Sequence, residues 1–241
     1  IKQQYEINDL NGFGCQHLNA AISALGCLIQ YLNDTQKILL PHLQVPKINL
    51  ASEIIQIDAV SRRNLEIEST LTEGKSHSLL DVIDTTSTVM GGRLLRRWLQ
   101  QPIRDHDTIK CRHDAVENLL NNRLYSDFDD VMNSICDIER IMSRIALKSA
   151  RPRDLIQLRD SITVFPQIKS RLENINSSRL NVLCQNISLL PKLLQILNKA
   201  LIDEPPILIR DGGVIAESYD KELDELKGLS NDAGQFLINL E

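Results

Sequence analysis

Between Leu180 and Leu201, leucine or isoleucine returns at alternating steps of three and four residues: Leu180, Leu183, Ile187, Leu190, Leu194, Leu197 and Leu201. Steps that alternate in this way follow the turn of an α-helix, about 3.6 residues, and place one apolar stripe on one helix face. The same spacing links Leu18, Ile22, Leu25, Ile29 and Leu32, then Phe128, Val131, Ile135, Ile138, Met142 and Ile145, then Leu155, Leu158, Ile162, Phe165 and Leu172. It returns at Tyr219, Leu223, Leu226, Ala233, Leu237 and Leu240, interrupted by Ser230. Aromatic side chains supply only 4% of the 241 residues, so leucine and isoleucine must fill the core. The expected fold is mainly α: a multi-helical core with one long protruding helix near the end of the chain.

Punctuation residues divide these stripes. Residues 1–15 alternate weakly and end at the Gly-flanked Phe13, which predicts a short strand and a tight turn before a first helix that stops near Asn33. Pro41 and Pro46 break regularity twice, since proline lacks an N–H and restricts its predecessor, so the domain boundary is placed there: residues 1–45 form one unit and 46–241 a second. Ile54, Ile55 and Ile57 form a β-branched run expected to be a short strand. Thr85-Thr86-Ser87-Thr88 offers hydroxyls to cap a helix that Pro102 stops. The triplet Asp137-Ile138-Glu139 allows a break between two helices, and Pro152 ends the second. Ser188 ahead of Pro191 splits the 180–201 stripe into two helices, with proline in the first turn of the second. Gly212-Gly213 turns between two short apolar runs, after which a single helix runs on to the last residues.

Catalytic and ligand-binding signatures are few. Neither G-x-x-x-x-G-K-[ST] nor G-x-G-x-x-G occurs; Gly12-Phe13-Gly14 has two of the dinucleotide glycines, but His17 stands where the third belongs, and a turn is the better reading. Gly91-Gly92 lies in a helical pattern and is expected to permit close packing. His17, His42, His77, His106 and His113 never take the spacing that puts two ligands on one helix face, so no metal site is expected. Asp105-His106-Asp107 and His113-Asp114 have the composition of acid/base pairs, yet sequence neighbours on a helix point apart, and helix-start polarity accounts for them.

Charge and thiols narrow the choice further. The formal net charge is −5, unlike a surface that neutralises many phosphates. Arg93, Arg96, Arg97 and Arg104, with Arg62-Arg63 as a second basic pair, still form a candidate phosphate-contacting patch; no aromatic ladder accompanies them, and internal ion pairing with the 32 acidic residues, or contacts at a domain interface, is the favoured use. Trp98, at helical spacing from Leu94 and Leu95, reads as a packing anchor. Cys15, Cys27, Cys111, Cys136 and Cys184 are scattered and odd in number, which fits reduced thiols in a cytoplasmic protein rather than disulfides or zinc. No signal-peptide pattern or membrane-length apolar run is present, and the opening Ile-Lys-Gln-Gln reads as the interior of a longer chain.

Several blocks resemble the bacterial MutS mismatch-repair family. They are residues 9–14 (DLNGFG), 58–67 (DAVSRRNLEI), 90–102 (MGGRLLRRWLQQP), 137–141 (DIERI), 144–155 (RIALKSARPRDL), 210–216 (RDGGVIA) and 219–226, in family order along nearly the whole chain. The resemblance implies that residues 1–45 are the last strand and helix of the connector domain. Residues 46–241 would then be the first part of the core domain, ending on the outgoing lever helix. It also implies that the family's Phe-x-Glu mismatch reader, DNA clamp and P-loop ATPase lie outside this stretch; no Phe here is followed two residues later by Glu.

The expected role is therefore a structural and allosteric relay between the ATPase and DNA-clamping ends. No catalytic, cofactor, metal or DNA-binding residue is expected in this chain. ATP and Mg would be bound elsewhere in the full-length family protein, whose partners are mismatched duplex DNA, a MutL-type protein and a second copy of itself, with no membrane. The rival reading is a stand-alone helical DNA- or protein-binding adaptor using the basic helix Arg93–Arg104. One further expectation is self-association through the apolar stripe of residues 219–240.

Overall fold

The computed structural model describes residues 1–36, 43–48, 51–72, 77–121, 123–206, 210 and 212–238, with backbone alone for 51 and 230–238. Twelve α-helices are found among them, and no sheet. They are α1 (Asn19–Gln36), α2 (Ala59–Asn64), α3 (Leu79–Ile83), α4 (Val89–Gln100), α5 (His106–Asn121) and α6 (Leu124–Asn133). The remainder are α7 (Ile138–Ala146), α8 (Pro152–Thr163), α9 (Phe165–Leu172), α10 (Ser178–Asn186), α11 (Pro191–Ala200) and α12 (Lys221–Ile238). The expected multi-helical core is the observed one.

Most of the buried apolar side chains lie in α5–α11, in two clusters. The first draws Ala115 from α5, Val131 from α6, Ile168 and Leu172 from α9, and Leu180 and Cys184 from α10, with Ile175 of the connecting turn. The second draws Ile141 from α7, Leu158 and Ile162 from α8, and Leu197 from α11, and it is closed by Leu201. Phe165, at the α8–α9 junction, packs against both. A half-buried ring placed there joins two small cores into one body, since each alone would bury little apolar area. Ser161 locks the same place: fully buried, it donates to the Gln157 carbonyl (2.7 Å) and accepts from the Cys136 N–H (3.0 Å), tying the α6–α7 turn to α8.

Several sequence expectations are confirmed in detail. Thr88 caps α4 by accepting from the Gly91 N–H (3.0 Å). The break at Asp137 separates α6 from α7, with Asp137 accepting from the Arg140 N–H (3.2 Å), and Pro191 opens α11. Gly212 and Gly213 have φ of +73° and +65°, the left-handed turn that glycine supplies without steric cost.

Others are corrected. Residues 1–15 form turns and one 3-10 turn, Asn11–Phe13, instead of a strand. A strand requires a ladder partner for its N–H and C=O groups, and here the Tyr5 and Phe13 rings meet at right angles, centroids 5.5 Å apart, and Tyr5 donates its hydroxyl to the Gln44 carbonyl. The Ile54–Ile57 run shrinks to a single antiparallel bridge, Ile54 to Ile103, flanked by the Ile55 N–H to Pro102 carbonyl bond (2.7 Å). Helix α1 continues past Asn33 to Gln36, and the 155–172 stripe is two helices, because Pro166 has no N–H with which to continue α8. Pro152 opens α8; it does not end α7, which stops at Ala146. Pro41, His42 and the run Ile207–Ile209 lie outside the described residues.

The end of α7 carries a measurable strain. The Ser149 N–H returns to the Arg144 carbonyl (2.8 Å) and the Lys148 N–H to the Ile145 carbonyl (3.0 Å), the double bond of a Schellman motif. Lys148 occupies its left-handed position with φ +53°, where glycine is the unstrained residue. Lys148→Gly is therefore expected to raise stability by a few tenths to about 1 kcal/mol, read as a higher urea midpoint at unchanged slope.

Candidate functional site

The segment with the densest candidate chemistry is α4 and the turn before it. Asp84 accepts from the Thr86 N–H (3.1 Å) and hydroxyl (2.6 Å), bonds that hold its carboxyl below the usual carboxylate range, with Arg96 adding attraction. The tightened turn lies directly on Gly91 and Gly92. A Cβ on Gly91 would stand 3.0 Å from Thr88 Oγ1 and 3.3 Å from Thr86 Cβ; one on Gly92 would stand 3.3 Å from both Asp84 Oδ2 and Thr86 Oγ1. The glycine pair thus permits close packing as expected, but against the helix's own capping turn.

The basic patch divides on inspection. Arg93 forks onto Asp137, Nη1 to Oδ2 at 2.7 Å and Nη2 to Oδ1 at 2.6 Å, and Nη2 also reaches Glu139 Oε2 at 2.7 Å. A planar guanidinium meeting a carboxylate with two parallel bonds is the strongest form of surface ion pair. Arg93 holds the Asp137 carboxyl below its ordinary pKa, and the two carboxylates in turn hold the guanidinium protonated. Arg62 is also committed: it donates to the carbonyls of Ile57 (3.4 Å) and Gln100 (3.3 Å) and lies 3.6 Å from Glu68. Arg96, Arg97 and Arg104 are exposed. The structure therefore does not unite the four α4-region arginines into one phosphate cradle; it uses the first of them internally.

Trp98 is corrected as well. At 39% exposure it is no buried anchor; the Arg112 guanidinium lies over its ring, 4.0 Å from the centroid, so its contact with α5 is cation–π. Arg112 is half-buried, and its Nε finds no hydrogen-bond acceptor.

The apparent acid/base pairs are structural. Asp105 accepts from the N–H groups of Asp107 (3.3 Å) and Thr108 (3.2 Å) at the start of α5, which lowers its pKa; the Thr108 hydroxyl is the largest cause. Asp114 accepts from Ser177 Oγ at 2.7 Å, tying α5 to the start of α10, so His113 is not its partner. The Gly12–Gly14 segment is a turn, with Gly14 at φ +67°. Among the described residues no three His, Cys, Asp or Glu side chains come together as a metal cage, and the five cysteines are unpaired.

One site escaped the sequence reading. Asp154, 6% exposed, accepts from Arg144 Nη1 (2.6 Å) and from the Arg151 N–H (2.9 Å), closing the α7–α8 connection from both sides. Its signal was available: an acidic residue in the third position of a helix opened by proline is a capping residue, and Arg144 precedes it on the adjoining helix. Every polar site described so far positions backbone or another helix, and none of them presents a nucleophile beside a base.

Acid should expose the Arg93 pair. A carboxyl whose folded pKa is lowered adds stability that is present above its unfolded pKa and is lost as pH falls through the folded value. The stability difference between the natural chain and Arg93→Gln is expected to be full at about pH 6 and to shrink towards zero below about pH 3, measured as urea midpoints at both pH values. An equal difference at both would refute the pairing.

Comparison with known families places this arrangement. A family model described as MutS domain III matches residues 60–240, and one described as MutS domain II matches residues 1–44.

Proposed function

The chain belongs to the MutS family of DNA mismatch-repair proteins, and from that premise we propose that it is a mechanical relay: a helical hub with a stiff outgoing helix, coupling a distant ATPase to a distant DNA clamp. Mismatched duplex DNA, ATP with Mg, a MutL-type partner and a second copy of the chain would be engaged through other parts of the longer family protein. The boundary between its two units falls at residues 45–46, a placement supported by family matches that end at 44 and begin again at 60. No single described helix is long and apolar enough to cross a membrane.

The observation that carries the relay is how α12 is rooted. Leu201 and Ile215 form an antiparallel bridge, and the Ala216 N–H donates to the Ala200 carbonyl (2.9 Å), so the segment leading to α12 is fastened to the end of α11. Asp220 accepts from the N–H groups of Glu222 (3.0 Å) and Leu223 (3.2 Å). Asp224 reaches back to the Ser218 N–H (2.8 Å), and Lys227 Nζ to the Ile215 carbonyl (3.3 Å). A helix of 18 residues, about 27 Å at 1.5 Å per residue, fixed this way at its base moves with the hub instead of swivelling on it. Packed bodies joined to stiff rods shift between discrete arrangements, which is what coupling two sites requires.

Two measurements test the proposal. Fluorescence anisotropy with homoduplex and mismatched DNA at low salt should find only weak binding by this chain, without preference for the mismatch. Submicromolar, mismatch-selective binding would defeat a relay-only role and favour the adaptor. In a longer family protein that carries this segment, Glu225→Pro on the exposed face of α12 should break the rod at a cost of about 3 kcal/mol to the helix. Mismatch binding should then survive, while its response to ATP is lost. An intact ATP response in that variant would refute the relay.

A further inference from the structure

Among the described residues, neither hydrophobic cluster, nor the half-buried apolar side chains packed against it, includes a residue of α2, α3 or α4. Within the layer Ile67 and Leu80 are buried, and the chain is stitched there by the Leu79 N–H to Glu66 carbonyl and Leu80 N–H to Ile67 carbonyl bonds, each 2.9 Å. Helix α4 is strongly amphipathic in sequence, yet none of its residues is buried. The side-chain bonds seen between the layer and α5–α7 are polar or cationic. Ser87 donates to Asp129 of α6 (3.0 Å), Arg93 clamps Asp137 and Glu139 at the start of α7, and Arg112 of α5 covers the Trp98 ring.

From this we infer that the α2–α4 layer is an electrostatically latched unit: it opens from the α5–α11 body as a whole when the Arg93 clamp is broken, and the body stays folded. The physical basis is the difference between the two kinds of joint. Apolar contact is nearly indifferent to salt, whereas charges at a half-exposed seam lose their attraction as the Debye length contracts. A unit held mainly by such charges therefore has its own low opening free energy, well below that of the shared core. The clamp is also geometrically economical. Asp137 both caps α7 and receives Arg93, so movement of α4 is felt at the first turn of the helix whose Ile141 lies in the second cluster. As a step in a relay, the latch rests on the function proposed above; as a joint it does not, and the following experiment addresses the joint alone.

Amide hydrogen exchange followed by mass spectrometry reads local opening segment by segment. Arg93→Glu should accelerate exchange across residues 84–104 by on the order of tenfold or more, with α8–α11 unchanged. Raising sodium chloride from about 0.05 M to about 1 M should produce the same local pattern in the natural chain. The swap Arg93→Glu with Glu139→Arg, which leaves the Asp137 cap in place, should recover part of the protection. Unaltered exchange in 84–104, or an equal rise throughout α8–α11, would overturn the latch. Failure of the ATP-response experiment leaves this one untouched, so the two readings fall separately.

Discussion

The aliphatic side chains of α5–α11 fill two clusters, and neither is large enough to hold the chain by itself. The ring of Phe165, with the buried Ser161 hydroxyl one turn earlier, fuses them. The ring supplies the apolar contact, and the hydroxyl accepts from the Cys136 N–H in the α6–α7 turn. The remaining parts of the molecule depend on that fusion. Helix α12 is anchored to that body because the segment leading to it is fastened at Leu201, which closes the second cluster. Layer α2–α4 can be a separate unit only because it contributes nothing to either.

Aspartate is the recurrent tool for the connections. Asp58, Asp105, Asp137 and Asp220 accept from N–H groups at helix starts, and Asp84 does the same for the turn before α4. Asp137 and Asp154 add a guanidinium from another helix. A carboxylate at a helix N-terminus interacts favourably with the orphan donors and the helix dipole, which is why these positions tolerate negative charge so well. Much of the acidic excess in the sequence thus serves architecture.

What was legible in the sequence follows from range. Periodicity and capping act within a few residues, so the helices, the Thr88 cap and the Asp137 break could be read directly. Strand character could not: the Ile54–Ile57 run has the composition of a strand, but whether it becomes one depends on a partner, and Ile103 pairs with only one of its residues. Ion pairing, the favoured use of the arginines, is what Arg93 shows, but its partners are not legible for the same reason. Arg93 is separated from Asp137 by 44 residues, and no local pattern distinguishes it from the exposed Arg96 and Arg97 beside it. Trp98 was misjudged because its partner is a charge on α5, and an indole that looks like a core residue by spacing can equally lie beneath a guanidinium.

The same distinction between short- and long-range contacts bears on how motion could pass through the fold. Seven helices sharing fused apolar clusters resist deformation, since any displacement forfeits close packing across the whole body. The α4 seam is cheaper to move because its bonds are few, directional and solvent-accessible, with Arg93 Nη2 pairing two carboxylates on a helix whose other face is core. A molecule built as a stiff body with one rooted rod and one clamped layer has its freedom concentrated at the clamp. In the relay proposed above, displacement arriving along α12 would pass through the stiff body and be taken up where contacts are polar, at the first turn of α7.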